Sequence, residues 1–227
     1  YFLGLLLLYM VKVASAGVGV ASYMVGRLRQ SLVRMGDWAY YSALARSLQD
    51  AESVLDVGCG SRSPLANVPK HFYTVGVDAF GPSIQKSRQL EIHDAYKKGD
   101  VLAIDKLFKK RQFDAVIALD VIEHLEKKQG YELIRKMSSL AKHKIIIMTP
   151  NGFYKQDPYD GNEWQIHRSG WIVDDFYKAG FTVRGIRGLR WLRGEYATLK
   201  WKPWIFWGIV SVLSEPLVYF FPRWAYQ

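Results

Sequence analysis

Apolar positions fall into two kinds of run along this chain. Short β-rich runs at 53–57, 73–77, 113–119 and 144–149 alternate with stretches whose apolar residues recur at helical spacing. "SIQKSRQL" follows the second run and "GYELIRKMSSLA" the third, and strand-then-helix alternation predicts a parallel sheet covered by helices. "FDAVIAL" and "KIIIMT" are apolar on both faces, which predicts central strands. Residues 37–50, "DWAYYSALARSLQD", predict a helix opened by Asp37 as its N-cap. Further on, "SGWIVDDFYKAG" predicts a helix capped by Ser169 and closed by Gly180, and "FTVRGIR" one more strand.

The two ends break this alternation. From Tyr1 to Gly26 the only charge is Lys12. As a helix the segment would reach roughly 39 Å at ~1.5 Å per residue, enough to cross a bilayer. Three readings stay open: a membrane anchor, a helix packed on the protein or on a second copy, or a signal peptide. "ASA" at Ala14–Ala16 mimics a cleavage site, but no basic stretch precedes the apolar run. Arg27, Arg29 and Arg34 follow that run, and the positive-inside rule then places the rest of the chain on the cytoplasmic face of a membrane. From Lys200 onward, Trp and Tyr mix with Lys and Arg, which suits the headgroup zone or, equally, a flap folded on the core. The expected organisation is therefore an apolar segment 1–35, a domain 36–199, and an aromatic, basic extension 200–227.

Composition narrows the partners. A chain of 227 residues, 49% of them hydrophobic, suffices for one α/β core. Cys59 is the only cysteine, so no disulfide framework exists within one chain. A formal charge of +10 points to an anionic surface or substrate: nucleic acid, phospholipid headgroups or phosphorylated molecules.

The chemistry concentrates at strand ends, where open α/β sheets bind ligands. "VLDVGCGSRSPL" carries Gly58 and Gly60, but Ser63 stands where a dinucleotide fingerprint has its third glycine. Asp56 ends the strand ahead of that turn, where a carboxylate would repel a pyrophosphate and suit a sulfonium. "YTVGVDAF" ends in Asp78, placed to take both hydroxyls of a ribose, with Ala79 and then Phe80 to pack on an adenine. "KGDV" adds Asp100, suited to an exocyclic amine, and "ALDVIEHL" brings Leu119 and Asp120 to the same edge.

In this order and spacing, "LDVGCG", "GVDAF", "GDV", "FDAVIALDVIEHL" and "IIIMTPNGF" resemble a class I S-adenosylmethionine-dependent methyltransferase over residues 37–190. The resemblance implies a Rossmann-like sheet, mostly parallel, with helices on both faces, and S-adenosylmethionine as cofactor. It also implies that Asp56, Gly58, Cys59 and Gly60 shape the methionine and sulfonium pocket. Asp78, Ala79 and Phe80 would serve the ribose and adenine, Asp100 and Val101 would flank the adenine, and Leu119 and Asp120 would close over the cofactor. The antiparallel seventh strand of that family has no candidate before Gln227.

Asp120, Glu123 and His124 resemble the E-x-x-E-H metal site of some quinone and RNA methyltransferases. The same "EH" also occurs in metal-free members, so no metal is expected. His124 and His167 are the expected proton acceptors for a hydroxyl substrate. The loop Thr149–Trp171 is long for a connection and should overhang the acceptor, with Asn151, Tyr154 and Trp164 as acceptor-site candidates. Arg62 is a cation at the lip of a cation pocket, expected to point outward or to pair with Asp56 or Asp120.

The function expected is methyl transfer to a hydroxyl of a lipid, quinone-like or lipid-linked glycan acceptor at the membrane. The alternatives are a soluble small-molecule or RNA methyltransferase, and a non-catalytic cofactor-binding subunit of a membrane complex. Nucleic acid is the less expected partner, and an oligomer remains open.

Overall fold

The computed structural model describes residues 18–158 and 161–227. Residues 1–17 of the segment 1–35 read as a possible anchor lie outside them. Among the described residues no helix is long and apolar enough to cross a membrane.

Helix α1 (Val18–Leu48) is 31 residues long and runs straight through Asp37, which caps nothing. Among its described side chains Leu32, Tyr40, Leu44 and Leu48 are buried, at spacings close to whole turns. That stripe continues on both sides of Asp37, so no helix start was encoded there.

After α1 come β1 (Ser53–Val57), β2 (Tyr73–Asp78), α2 (Gly81–Gln89) and β3 (Ala95–Lys98). Next are α3 (Ile104–Leu107), β4 (Phe113–Leu119), α4 (Lys127–Leu140) and β5 (Ala141–Met148). The five strands form one parallel sheet in the order β3-β2-β1-β4-β5. Every residue of β4 is buried, as expected of a central parallel strand. One face of the sheet packs Leu55, Val57, Val116 and Ala118 against Leu133, Met137 and Leu140 of α4. The other packs Val54, Ala115 and Ile117 against Tyr40, Leu44 and Leu48 of α1. Both faces are covered, so the Rossmann-like expectation holds.

β5 departs from its expected place. Ile146 packs on the α1 side, while Ile145 and Ile147 pack on the α4 side, which explains the apolar run. Yet no described strand pairs with its outer edge. "FTVRGIR" forms no strand, because its backbone pairs with the tail instead. Ile186 donates to the Gln227 carbonyl at 2.7 Å, and Tyr226 donates to that of Gly188 at 2.9 Å.

Helix α5 (Val173–Lys178) is not capped by Ser169. Asp175 does that work, accepting the Ile172 N–H at 2.9 Å, and Gly180 closes the helix with φ +84° as expected. Ser169 instead accepts the Trp171 indole N–H at 3.0 Å. Trp171 is fully buried, and its indole also reaches the Ile122 carbonyl at 3.2 Å. Lys127 Nζ stands 3.8 Å over its ring. A Cβ on Gly130 would collide with that indole, so α4 has a glycine where Trp171 lies against it.

The tail forms α6 (Trp204–Leu213) and α7 (Glu215–Phe220). One side folds on the body, burying Gly208, Ser211, Val218, Ala225 and Tyr226. The other side leaves Phe206, Leu213, Leu217, Phe220 and Phe221 exposed.

Candidate active site

The turn after β1 is built on close approach. The N–H groups of Gly58 and Cys59 both point at the Val77 carbonyl, at 2.8 and 2.9 Å. Gly58 has φ +71°, and a Cβ there would lie 2.7 Å from Val121 Cγ2, so only glycine lets the β4 end close over the turn. The Gly60 N–H donates to Asp78 Oδ2 at 2.8 Å, and the Phe80 N–H donates to Asp78 Oδ1 at 2.8 Å. Asp78 is thus clamped at the end of β2. Burial pushes its carboxyl up, against the pull of those two donors.

Gly58, Asp78, Ala79, Asp100, Val101 and Asp120 line one cleft, together with Val121 and His124. Sequence placed most of these there. Asp100 gives one oxygen to the Leu102 N–H at 2.8 Å and keeps the other for a ligand. The lid is Asn162, Trp164 and Gln165, of which sequence foresaw only Trp164. Asn162 Oδ1 caps that turn by accepting the Trp164 N–H at 3.1 Å. Both feet of the loop are tied to the segment after β4. Thr149 Oγ1 donates to Glu123 Oε2 at 3.0 Å, and the Arg168 and Ser169 N–H groups donate to the Glu123 carbonyl at 2.8 and 3.0 Å.

Several expectations are corrected. Asp56 does not face the cleft: it is 2% exposed, accepting from Ser63 Oγ at 2.5 Å and pairing with His93 Nε2 at 2.9 Å. Ser63, the residue in place of glycine, is therefore part of a buried tie beneath the turn. Cys59 also turns inward. A Cβ on Gly76 would lie 2.9 Å from its sulfur, and burial raises its thiol pKa. Leu119 packs on the α1 side of the sheet, and Phe80 contributes its backbone while its ring lies outside the cleft walls. Asn151 is committed elsewhere. Its amide donates to the carbonyls of Pro222, Arg223 and Ala225, bracketing the tail. Tyr154 packs on Tyr226 with ring centres 4.9 Å apart, away from the cleft. Arg62 points outward, exposed.

Asp120 sits at the end of β4 with φ +56°, a conformation a non-glycine residue holds only under constraint. Its carboxylate accepts from the Gln227 amide. Burial pushes its pKa up to about 6, while the nearby Arg187 charge and the Gln227 bond hold it down. Glu123, buried beside it, is raised well above the usual carboxyl range, first by burial and then by Asp120.

His124 and His167 meet edge-to-face with ring centres 4.8 Å apart. His167 Nδ1 lies 2.6 Å from the Tyr154 carbonyl, and His124 Nδ1 lies 3.3 Å from that of Ile166. A carbonyl only accepts, so each neutral ring carries its proton on Nδ1 and offers the Nε2 lone pair. Burial lowers both pKa values, that of His124 to about 4, so both rings are neutral near pH 7. One ligating atom from each of Glu123, His124 and His167 lies within 4.8 Å of the others. Such a set is able to pass a proton or to hold a divalent ion.

The side chains fit S-adenosylmethionine: a clamped carboxylate for a diol, a free oxygen on Asp100 for an amine, and glycine where the backbone must come close. The volume does not yet fit. The cleft holds about 70 Å³, well below the roughly 300 Å³ at which small-molecule sites begin. The cleft must therefore widen when a ligand of that size enters, and the turn Asn162–Gln165 is the part of its wall that comes from the long loop after β5. Trp164 fluorescence is expected to change on titration with S-adenosylhomocysteine, and Trp164→Phe is expected to abolish most of that change. An unchanged signal in the native chain would mean that the turn stays shut.

The methyltransferase-domain family matches residues 22–184. An uncharacterized protein of Methanocaldococcus jannaschii is 24% identical over 131 residues, covering 57% of this chain and 55% of the relative. The chain thus spans about half the length of the curated relative it matches. Among solved structures, the methyltransferase domain of a bacterial Hen1 is 22% identical with a TM-score of 0.47, covering 63% of this chain and 80% of that one. The YcgJ protein of Bacillus subtilis is 12% identical with a TM-score of 0.48, covering 61% and 64%. Likeness at that level says nothing about the acceptor. The family match takes in all five strands and every acid of the cleft, and the chain belongs to the methyltransferase-domain family.

Proposed function

We propose that this chain transfers the methyl group of S-adenosylmethionine to a hydroxyl-bearing acceptor held at the cytoplasmic face of a membrane. The observation that carries the cofactor reading is the clamped Asp78. Two backbone N–H groups orient its carboxylate, and its remaining lone pairs face the cleft. There Asp78 would take the ribose hydroxyls, Asp100 the adenine amine, and Gly58 would admit the methionine end. When bound, the cofactor supplies a methyl on a sulfonium, open to in-line displacement.

The chain's own contribution is positioning, water exclusion and proton removal. The Trp164 turn closes the cleft, and the neutral His124 and His167 offer lone pairs to the departing proton. Asp120 is the cleft group that titrates nearest neutrality. The rate is expected to fall as pH drops below about 6, where Asp120 takes up its proton. Asp120→Asn should move that limb to lower pH, where the two half-buried histidines, His167 and His124, take up protons. An unmoved limb would assign the titration to another group.

The membrane reading is supported by the exposed face of α6 and α7, by the flanking Lys and Arg, and by the net charge of +10. Calorimetry with S-adenosylmethionine, S-adenosylhomocysteine and NAD tests the cofactor, and no binding of either sulfur compound would sink it. Transfer of labelled methyl into membrane extracts tests the acceptor. Label confined to water-soluble molecules or RNA would defeat the membrane reading.

A further inference from the structure

Between α1 and α6 lies a second cavity, of about 430 Å³, separate from the strand-end cleft. Leu32, Val33, Trp204 and Val212 give it apolar walls, and Arg187 and Arg193 face it as cations. No ion pair among the described residues uses either arginine. Arg193 is fixed: its guanidinium donates to the Arg187 and Ala197 carbonyls, both at 2.7 Å, and to Ser211 Oγ at 3.0 Å. Arg187 is not. Its buried Nε–H has no partner, its guanidinium lies 5.2 Å from the centre of the Tyr40 ring, and its backbone is held at φ +63°. A buried donor left unpaired is costly, and strained backbone gathers where a ligand is bound.

Three carboxylates stand near the pair. Asp37 lines the same cavity and offsets part of its charge. Glu215 faces Arg193, but burial pushes its carboxyl up to about 7, so it is charged only part of the time. Asp120, whose carboxyl the Arg187 charge holds down, lines the strand-end cleft instead. Two arginines against one lining carboxylate leave an excess of positive charge in a largely apolar chamber, whose size lies within the roughly 300–1,000 Å³ of small-molecule sites, and that suits an anion that carries an apolar chain.

We infer that this cavity binds the phosphate head of a single-chain amphiphile, with the phosphate on Arg187 and the chain along Leu32, Val33 and Trp204. Arg187 lines this cavity and its charge also acts on Asp120 of the strand-end cleft, which would couple a head bound there to that cleft. The inference rests on the membrane-acceptor reading above and names its ligand class.

The test is calorimetry of the whole chain with lysophosphatidic acid below its micelle concentration, beside lysophosphatidylcholine and inorganic phosphate. Lysophosphatidic acid should bind, and each of the other two at least about tenfold more weakly. Arg187→Gln removes charge-assisted hydrogen bonds and should weaken lysophosphatidic acid about tenfold or more. Val33→Trp, at an exposed position on the rim, should fill the chamber and do the same. If Arg187→Gln no longer melts cooperatively, Val33→Trp decides alone. Equal binding of the two lysolipids, equal binding of bare phosphate, or native affinity in the folded variants would overturn the inference. S-adenosylhomocysteine is titrated into the same samples. If it binds while lysophosphatidic acid does not, the second site falls alone, and if it fails to bind the native chain, the methyltransferase reading falls.

Discussion

Asp78→Asn is expected to weaken S-adenosylhomocysteine binding by about two orders of magnitude while leaving the fold intact. In the native chain both carboxylate oxygens accept a backbone N–H, from Gly60 and Phe80, at 2.8 Å each. An asparagine offers one oxygen and one NH₂, so whichever way it turns, an N–H donor meets another donor. The side chain at position 78 then loses one of its two backbone donors, from Gly60 or Phe80, and the ribose loses its anionic partner. A hydrogen bond to a charged group contributes about 1.5–3 kcal/mol, and two of them exceed a factor of 100 in affinity. Calorimetry gives the affinity, and a thermal melt shows whether the fold persists. Affinity within threefold of native would remove Asp78 from the cofactor site.

Trp171→Ala should produce the largest loss of stability. The side chain is fully buried between α4 and α5, and its indole N–H serves the Ile122 carbonyl and Ser169. Truncating a buried aromatic costs about 3–5 kcal/mol. For a domain of this size that is a fall in Tm of roughly 10 °C. Activity should suffer too, because Ile122 leads directly into Glu123 and His124, and the Gly152 N–H donates to the Trp171 carbonyl at 2.6 Å. Trp171→Phe should keep most of the packing and lose only the indole bonds, with a drop about a third as large. A drop of under 3 °C for Trp171→Ala would show that this contact does not hold the acceptor loop.

What could be read in the sequence follows from what periodicity and turn chemistry encode. β1, β2 and β4 were legible because strands buried on both faces are continuous apolar runs. The turn at Gly58 was legible because left-handed backbone selects glycine. The reach of Asp78, Asp100 and Asp120 into one cleft followed from strand ends alone. Asp56 misled because a carboxylate before a glycine turn reads the same whether it faces a ligand or a buried partner. Its partner, His93, lies 37 residues on in a stretch with no pattern. Asn151 misled similarly, since one amide serves a substrate or three carbonyls of the tail equally well. Apolar faces report layers above and below a strand and say nothing of its edges, so "KIIIMT" predicts a central strand where β5 lies at the edge. The basic run "RGIRGLRWLR" gave charge without direction; only the fold separates Arg193, fixed by three hydrogen bonds, from Arg187, whose Nε–H has no partner.

The open edge of β5 has a bearing on how the molecule behaves in a crowd. Ile145, Ile146 and Ile147 lie along an outer edge where no described strand adds hydrogen bonds, the arrangement from which sheets extend between molecules. Lys142 and Lys144 stand at its start, the first held by Asp114 at 2.9 Å and the second by the Ser47 carbonyl at 3.0 Å. Charges beside a bare edge oppose strand-to-strand pairing between molecules, and concentrated salt, which screens them, weakens that opposition.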